Sequence, residues 1–125
     1  MNLLLDTHVV IWWLEANPTL AQTARQAIEI PSNLIFVSAV TAWEITVKKA
    51  LGKLTAPDNL EAELTRHRFL PLPITIPHAV AVGKLPPIHQ DPFDRLLAAQ
   101  ALVENLTLIT RDDQLLKYGI PVILA

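Results

Sequence analysis

The residues of this chain best suited to chemistry are its carboxylates at Asp6, Glu44, Asp91, Asp94, Asp112 and Asp113. Each stands where an apolar run ends or in the opening turns of a helical pattern, so folding can bring them to one edge. Acidic groups gathered that closely repel one another unless a cation lies between them. Magnesium and manganese prefer carboxylate oxygens and keep part of their hydration. One or two such ions can activate water and neutralise a phosphate under attack.

The elements that must position these acids follow from the hydrophobic pattern. Asn2 to Leu5 reads as a short buried strand that stops at Asp6, with Asp6 or Thr7 capping a helix to Leu14. Asn17-Pro18 is a second helix start, predicting a helix over Thr19 to Ile30 that Pro31 ends. Leu34 to Val37 is a strand, and Ser38 caps a helix running to Leu51, with Gly52 in the usual stop position. Pro57 to Arg68 predicts a helix, Leu70 to Ile76 an extended segment broken by prolines, and Pro77 to Gly83 a short helix. Asp91-Pro92 opens a helix whose apolar positions include Phe93, Leu96, Leu97, Ala101 and Leu102. Thr107 to Thr110 is a strand, Asp113 to Tyr118 a short helix and Pro121 to Leu124 a last strand. Short, continuously apolar strands alternating with helices predict a parallel sheet covered on both faces. Ligands bind such sheets outside the carboxyl ends of the strands, where the acids fall.

Each acid also has a plainer role. Asp6 can simply cap its helix, a contribution of roughly 1 kcal/mol. Glu44 can pair with Lys48 one turn on, for a few tenths of a kcal/mol. Its helix, however, carries an apolar stripe at Val40, Trp43, Val47, Ala50 and Leu51, and Glu44 falls at the edge of that stripe. A surface pair would not need this position. Asp91 reads as an N-cap with Pro92 in the first helical position. Asp94 can complete a capping box. Asp112 and Asp113 form another potential cap, with Asp112 nearer the strand end. It is the shared edge, not any one acid, that carries the reading. Arg95 and Arg111 adjoin the acids and either touch substrate or balance charge. Lys48, Lys49, Lys53, Arg66 and Arg68 could flank a phosphate path, although runs this short are usually solvated faces. His8, His67, His78 and His89 show no paired ligand spacing and read as surface or structural. Trp12, Trp13 and Trp43 read as core or interface residues.

Composition bounds the rest. The 125 residues fit one domain, 1–125, and an apolar share of 51% supports a real core. That share, with a mean hydropathy of +0.34, also predicts an apolar interface with another copy or a partner. A net charge of -2 supplies no global field for nucleic acid, so any such binding must come from local patches or bound ions. The absence of cysteine excludes disulfides, thiolate zinc sites and cysteine nucleophiles, and agrees with a reducing cytoplasm. Met1 to Leu14 is apolar but carries Asp6 and His8, and reads as neither signal peptide nor membrane span.

Four ordered segments carry a resemblance that covers nearly the whole chain. They are Leu3-Leu-Leu-Asp6-Thr7, Ser38 through Trp43-Glu44, Asp91-Pro-Phe-Asp94-Arg-Leu-Leu-Ala-Ala-Gln100-Ala, and Leu108-Ile-Thr110-Arg-Asp112. Each is a weak motif alone, but the ordered set resembles the PIN-domain ribonucleases, and within them the VapC-type toxins of bacterial toxin–antitoxin pairs. The resemblance implies a three-layer α/β/α sandwich and magnesium- or manganese-dependent cleavage of RNA. It also implies a homodimeric toxin held by a cognate antitoxin. It puts the family's four acids on Asp6, Glu44, Asp94 and Asp112, with Thr110 at a hydroxyl position near the metal. Asp91 belongs to the motif, and the fourth acid is either Asp112 or Asp113.

Two other classes compete. A phosphoryl-transfer domain would show Asp-x-Asp at the first strand, or paired acids there with a lysine after the last strand. Here Thr7 and His8 follow Asp6. A binding module with a structural acid cluster would show no chelator-sensitive cleavage. Among nucleases, one acting on other nucleic acid is the nearer alternative, since a metal-held phosphate says nothing about the sugar.

Overall fold

Leu3, Leu4 and Leu5 are wholly buried, as an unbroken apolar run must be when a strand is covered on both faces. They form strand β1 (Asn2–Leu5), the centre of a five-stranded, all-parallel sheet in the computed structural model, which describes residues 1–125. The order is β3-β2-β1-β4-β5, with β2 Leu34–Ser38, β3 Leu70–Leu72, β4 Thr107–Thr110 and β5 Val122–Leu124. In register, Leu4 pairs with Phe36 on one side and Leu108 on the other.

Alternation along the strands divides the core into two layers. Leu3 and Leu5 join Ile35, Val37 and Ile109 on the face covered by helices α1 (Thr7–Leu14) and α2 (Gln22–Glu29). Leu4 joins Leu108 on the other face, beneath Leu97, Ala98 and Ala101 of helix α6 (Pro92–Glu104). Helix α3 (Ala39–Ala50) bridges the edge where the acids lie, and helices α4 (Leu60–Arg66) and α5 (Ile76–Val82) complete the covering. This is the expected α/β/α sandwich with a central parallel sheet.

Several boundaries differ from the sequence expectations. Helix α2 begins at Gln22, not Thr19, because the Asn17 side chain accepts from Thr19 N (2.9 Å) and closes a local turn. The expected helix from Pro57 shrinks to α4. The proline-broken segment contributes a fifth strand, β3, at the sheet margin. Pro71 has no N–H to give a second neighbour, so only an edge position accepts it. Asp113–Tyr118 is a 3₁₀ helix.

The inward face of α3 is also rotated from the expected stripe. It buries Val40, Thr41, Glu44 and Ile45, while Trp43 and Leu51 are exposed. Polar Thr41 and Glu44 can face inward because Thr7 Oγ1 meets both, at 3.4 Å and 2.5 Å.

Candidate metal centre

The sheet order has one switch point. From β1 the chain moves outward to β2 and β3, then returns to β4 on the other side of β1. The crevice above the carboxyl ends of β1 and β4 is therefore where ligand chemistry is expected. Asp6 and Thr110 stand there.

Asp6 does two jobs. Its Oδ1 caps α1 by accepting from His8 N (2.9 Å) and Val9 N (3.4 Å). Its Oδ2 accepts from Thr110 Oγ1 at 2.5 Å. Thr110 Oγ1 in turn accepts from Asp112 N at 3.0 Å, so one hydroxyl ties the two strand ends together. Burial pushes the Asp6 carboxyl up from its ordinary range, against the opposing effects of the Thr110 bond, the His8 charge and the backbone donors.

Asp112 caps the 3₁₀ helix through Gln114 N (3.0 Å), and turns its Oδ2 to His89 Nε2 at 2.6 Å. His89 Nε2 also lies 3.2 Å from Asp94 Oδ2. One oxygen of each acid and a ring nitrogen thus sit within 4.8 Å of one another. Asp113 is exposed, and it is Asp112 that faces this group.

His89 is the residue the sequence reading missed. Its ring orientation is set by Asp91 N, which donates to Nδ1 (3.0 Å). Nε2 is then the N–H that faces the two carboxylates. An ion taking Nε2 would need the other tautomer and would break the Asp91 bond, so His89 acts here as a donor that holds acids. The only sequence signal was its position two residues before Asp91.

Asp91 caps α6 through Phe93 N (2.8 Å) and Asp94 N (3.4 Å), with Pro92 in the first turn. The capping-box role expected of Asp94 does not form, because His89 already takes the Asp91 N–H. The Asp94 side chain instead points into the cluster, where burial first, then the charges of Asp91, Asp6 and Glu44, push its carboxyl up to about 7, against the opposing pull of His89. Three other acids thus bear on Asp94.

Glu44 is buried, with Thr7 on Oε1 and Lys48 Nζ on Oε2, both at 2.5 Å. The Glu44–Lys48 pair exists, but inside the cluster rather than on a free surface. The Glu44 bond, aided by the charges of Glu44, Asp91 and Asp94, raises the Lys48 ammonium above its usual range despite some desolvation. Arg95 points away from the acids, to the carbonyls of Pro86 (3.0 Å) and Val82 (3.0 Å). Arg111 donates to the carbonyls of Ala125 and Thr19.

The residues fit a hard divalent ion. Asp94 and Asp112 lie within the reach of one ion while Asp6 and Glu44 stand outside that group, and each of these carboxylates keeps lone pairs beyond those already used. Asp94 is pushed up first by burial and then by the charges of Asp91, Asp6 and Glu44, and a divalent cation beside it would offset that repulsion.

A parallel α/β/α sandwich with carboxylates gathered at its switch point defines an α/β protein built to hold charge above the sheet. Comparison with known proteins narrows that class. The PIN domain family model matches residues 3–121. Ribonuclease VapC22 of Mycobacterium tuberculosis is 30% identical over 123 residues, covering 96% of this chain and 94% of that protein. The chain belongs to the PIN-domain family, among its VapC-type members. Two solved structures share the fold over 99% of this chain and 98% of theirs. VapBC2 from Rickettsia felis bound to a promoter DNA fragment gives a TM-score of 0.75 at 17% identity. DNA-bound VapBC from Salmonella typhimurium gives 0.72 at 20%.

Proposed function

We propose that the chain is a magnesium- or manganese-dependent endoribonuclease and the toxin of a toxin–antitoxin pair, with Asp6, Glu44, Asp94 and Asp112 as the metal-holding acids. The observation that carries this reading is Asp94, a carboxyl turned into a cluster of acids and joined to Asp112 through His89. A bound divalent ion would supply an activated water and neutralise charge on the phosphodiester. The chain's own groups would do the rest. Thr110 and Thr7 orient Asp6 and Glu44 by donating to them. Those hydroxyls are thereby engaged with acids, which favours attack by water over attack by a side chain. His89 holds Asp94 and Asp112 at a fixed separation.

The name of the relative, a ribonuclease, supports RNA as substrate, and the two VapBC structures that share the fold support an antitoxin partner. A groove of about 1240 Å³ between α3, α4 and β3, lined by Val37, Ala42, Leu64, Phe69 and Leu72 among others, offers an apolar seat for a partner segment. Exposed Ile76 and Val80 on α5, with Leu102 and Val103 on α6, support a homodimer. The cytoplasm is the compartment that such a pair implies, and no helix is long and apolar enough to cross a membrane.

The test is incubation of purified wild-type and Asp94→Asn protein with structured RNAs, with manganese, magnesium or a chelator. Cleavage by wild type alone, lost in chelator, is the expected result. Turnover retained by Asp94→Asn, or indifferent to chelator, would sink the assignment.

A further inference from the structure

We propose that Lys48 is the substrate-positioning cation of this site, held on Glu44 in the ion-free protein and released to the phosphodiester when a divalent ion takes up Glu44. This rests on the reading of the acids as a metal centre.

The two ends of the Glu44–Lys48 pair are unequally free. The Glu44 side chain is 4% exposed and that of Lys48 31%, so the acid is fixed while the ammonium sits at the rim. Thr7 occupies Oε1 of Glu44, and Lys48 Nζ occupies Oε2. With Oε1 taken by Thr7, Oε2 is the oxygen left to an ion, and an ammonium and a divalent cation would compete for it by charge.

Arg95 and Arg111, which adjoin the acids in sequence, and Lys49, next to Lys48, are committed elsewhere. Arg95 is spent on the carbonyls of Val82, Leu85 and Pro86 and on the Tyr118 hydroxyl. Arg111 binds the carbonyls of Thr19 and Ala125, with its guanidinium 4.3 Å from the Trp12 ring centre. Lys49 is bonded to Asp58. Lys48 is the cation whose donor is turned to an acid of the cluster.

A released Lys48 need not leave the site. Its Nζ already lies 5.6 Å from the centre of the Phe93 ring, and Trp43 packs edge-on against that ring at 4.9 Å. Phe93 adjoins Asp94, so this aromatic ledge keeps the ammonium beside the acids. There it is a mobile point charge suited to a phosphate oxygen.

The experiment compares Lys48→Gln, Lys48→Met and Lys48→Arg with wild type. Glutamine keeps a donor for Glu44 without charge, which protects folding, and methionine removes both. Calorimetric titration with manganese alone should show binding tightened about tenfold in the glutamine and methionine variants, because one competing unit charge is gone. Arginine should stay near wild type. In cleavage assays the neutral variants should raise KM about tenfold with a smaller change in kcat. The logarithmic salt slope of RNA binding should fall by about one. Unchanged or weakened manganese affinity in both neutral variants overturns the proposal, as does an unchanged KM and salt slope. If wild type cleaves RNA with manganese while those results appear, Lys48 alone loses its role. If neither wild type nor variant binds manganese, the metal-centre reading fails and takes this one with it.

Discussion

His89 Nε2 lies 2.6 Å from Asp112 Oδ2 while its Nδ1 accepts from the backbone N–H of Asp91. A residue of the loop before α6 thereby fixes the acid that follows β4. The same nitrogen is 3.2 Å from Asp94, so one ring spaces two acids contributed by different elements.

Replacing His89 with glutamine should therefore loosen both acids without removing either. We expect a loss of about 10–100-fold in manganese affinity or cleavage, the usual effect of removing a group that orients ligands. Calorimetry and single-turnover cleavage measure the two separately. Wild-type values in both would leave His89 a bystander.

Thr110 is the other tie. In Thr110→Val, the buried Asp6 Oδ2 loses its donor and Asp112 N loses its acceptor. Destabilisation of about 1–3 kcal/mol is expected by denaturant unfolding, together with reduced cleavage. Thr110→Ser, which retains the hydroxyl, should recover most of both. Equal behaviour of the two variants would argue against the hydroxyl.

The raised carboxyl of Asp94 links acidity to stability. Its folded value of about 7 lies above the unfolded value of about 3.9. Between these the folded chain holds the proton more tightly than the unfolded chain, so stability is greatest at the low end and is lost as pH rises toward 7. In chelator, the melting temperature should fall between pH 5 and 7.5, and manganese should restore it. Asp94→Asn should melt higher than wild type at pH 7.5 in chelator while failing to cleave. A flat melting profile in chelator counts against the charged cluster.

The central strand sets the platform for all of this. Leu4 is fully buried between Phe36 and Leu108 in register, and Leu4→Ala should cost about 2–5 kcal/mol. Unfolding in urea reads this directly, and a cost below about 1 kcal/mol would mean that the sheet repacks.

Much of the site was legible because strand ends are written locally. Apolar runs that stop at Asp6 and Ser38 mark the carboxyl edge of a parallel sheet. Asp91-Pro92 announces a helix start, and the cap formed there is the one expected. Asp112 was favoured over Asp113 by its nearness to β4, and it is Asp112 that meets His89. The rotation of α3 was less legible, because periodicity weighs Trp43 and Leu51 as core without knowing that Thr7 would satisfy Thr41 and Glu44.

The sequence by itself determined the alternation of strands and helices, the burial of β1 and the order of the acidic segments, because these depend on periodicity and local turn chemistry. Only the tertiary structure decided the partners: His89 between Asp94 and Asp112, Thr110 on Asp6, and Thr7 on Glu44. Those choices belong to contacts between segments distant in sequence, in a crevice where burial and repulsion make each remaining hydrogen-bond partner count.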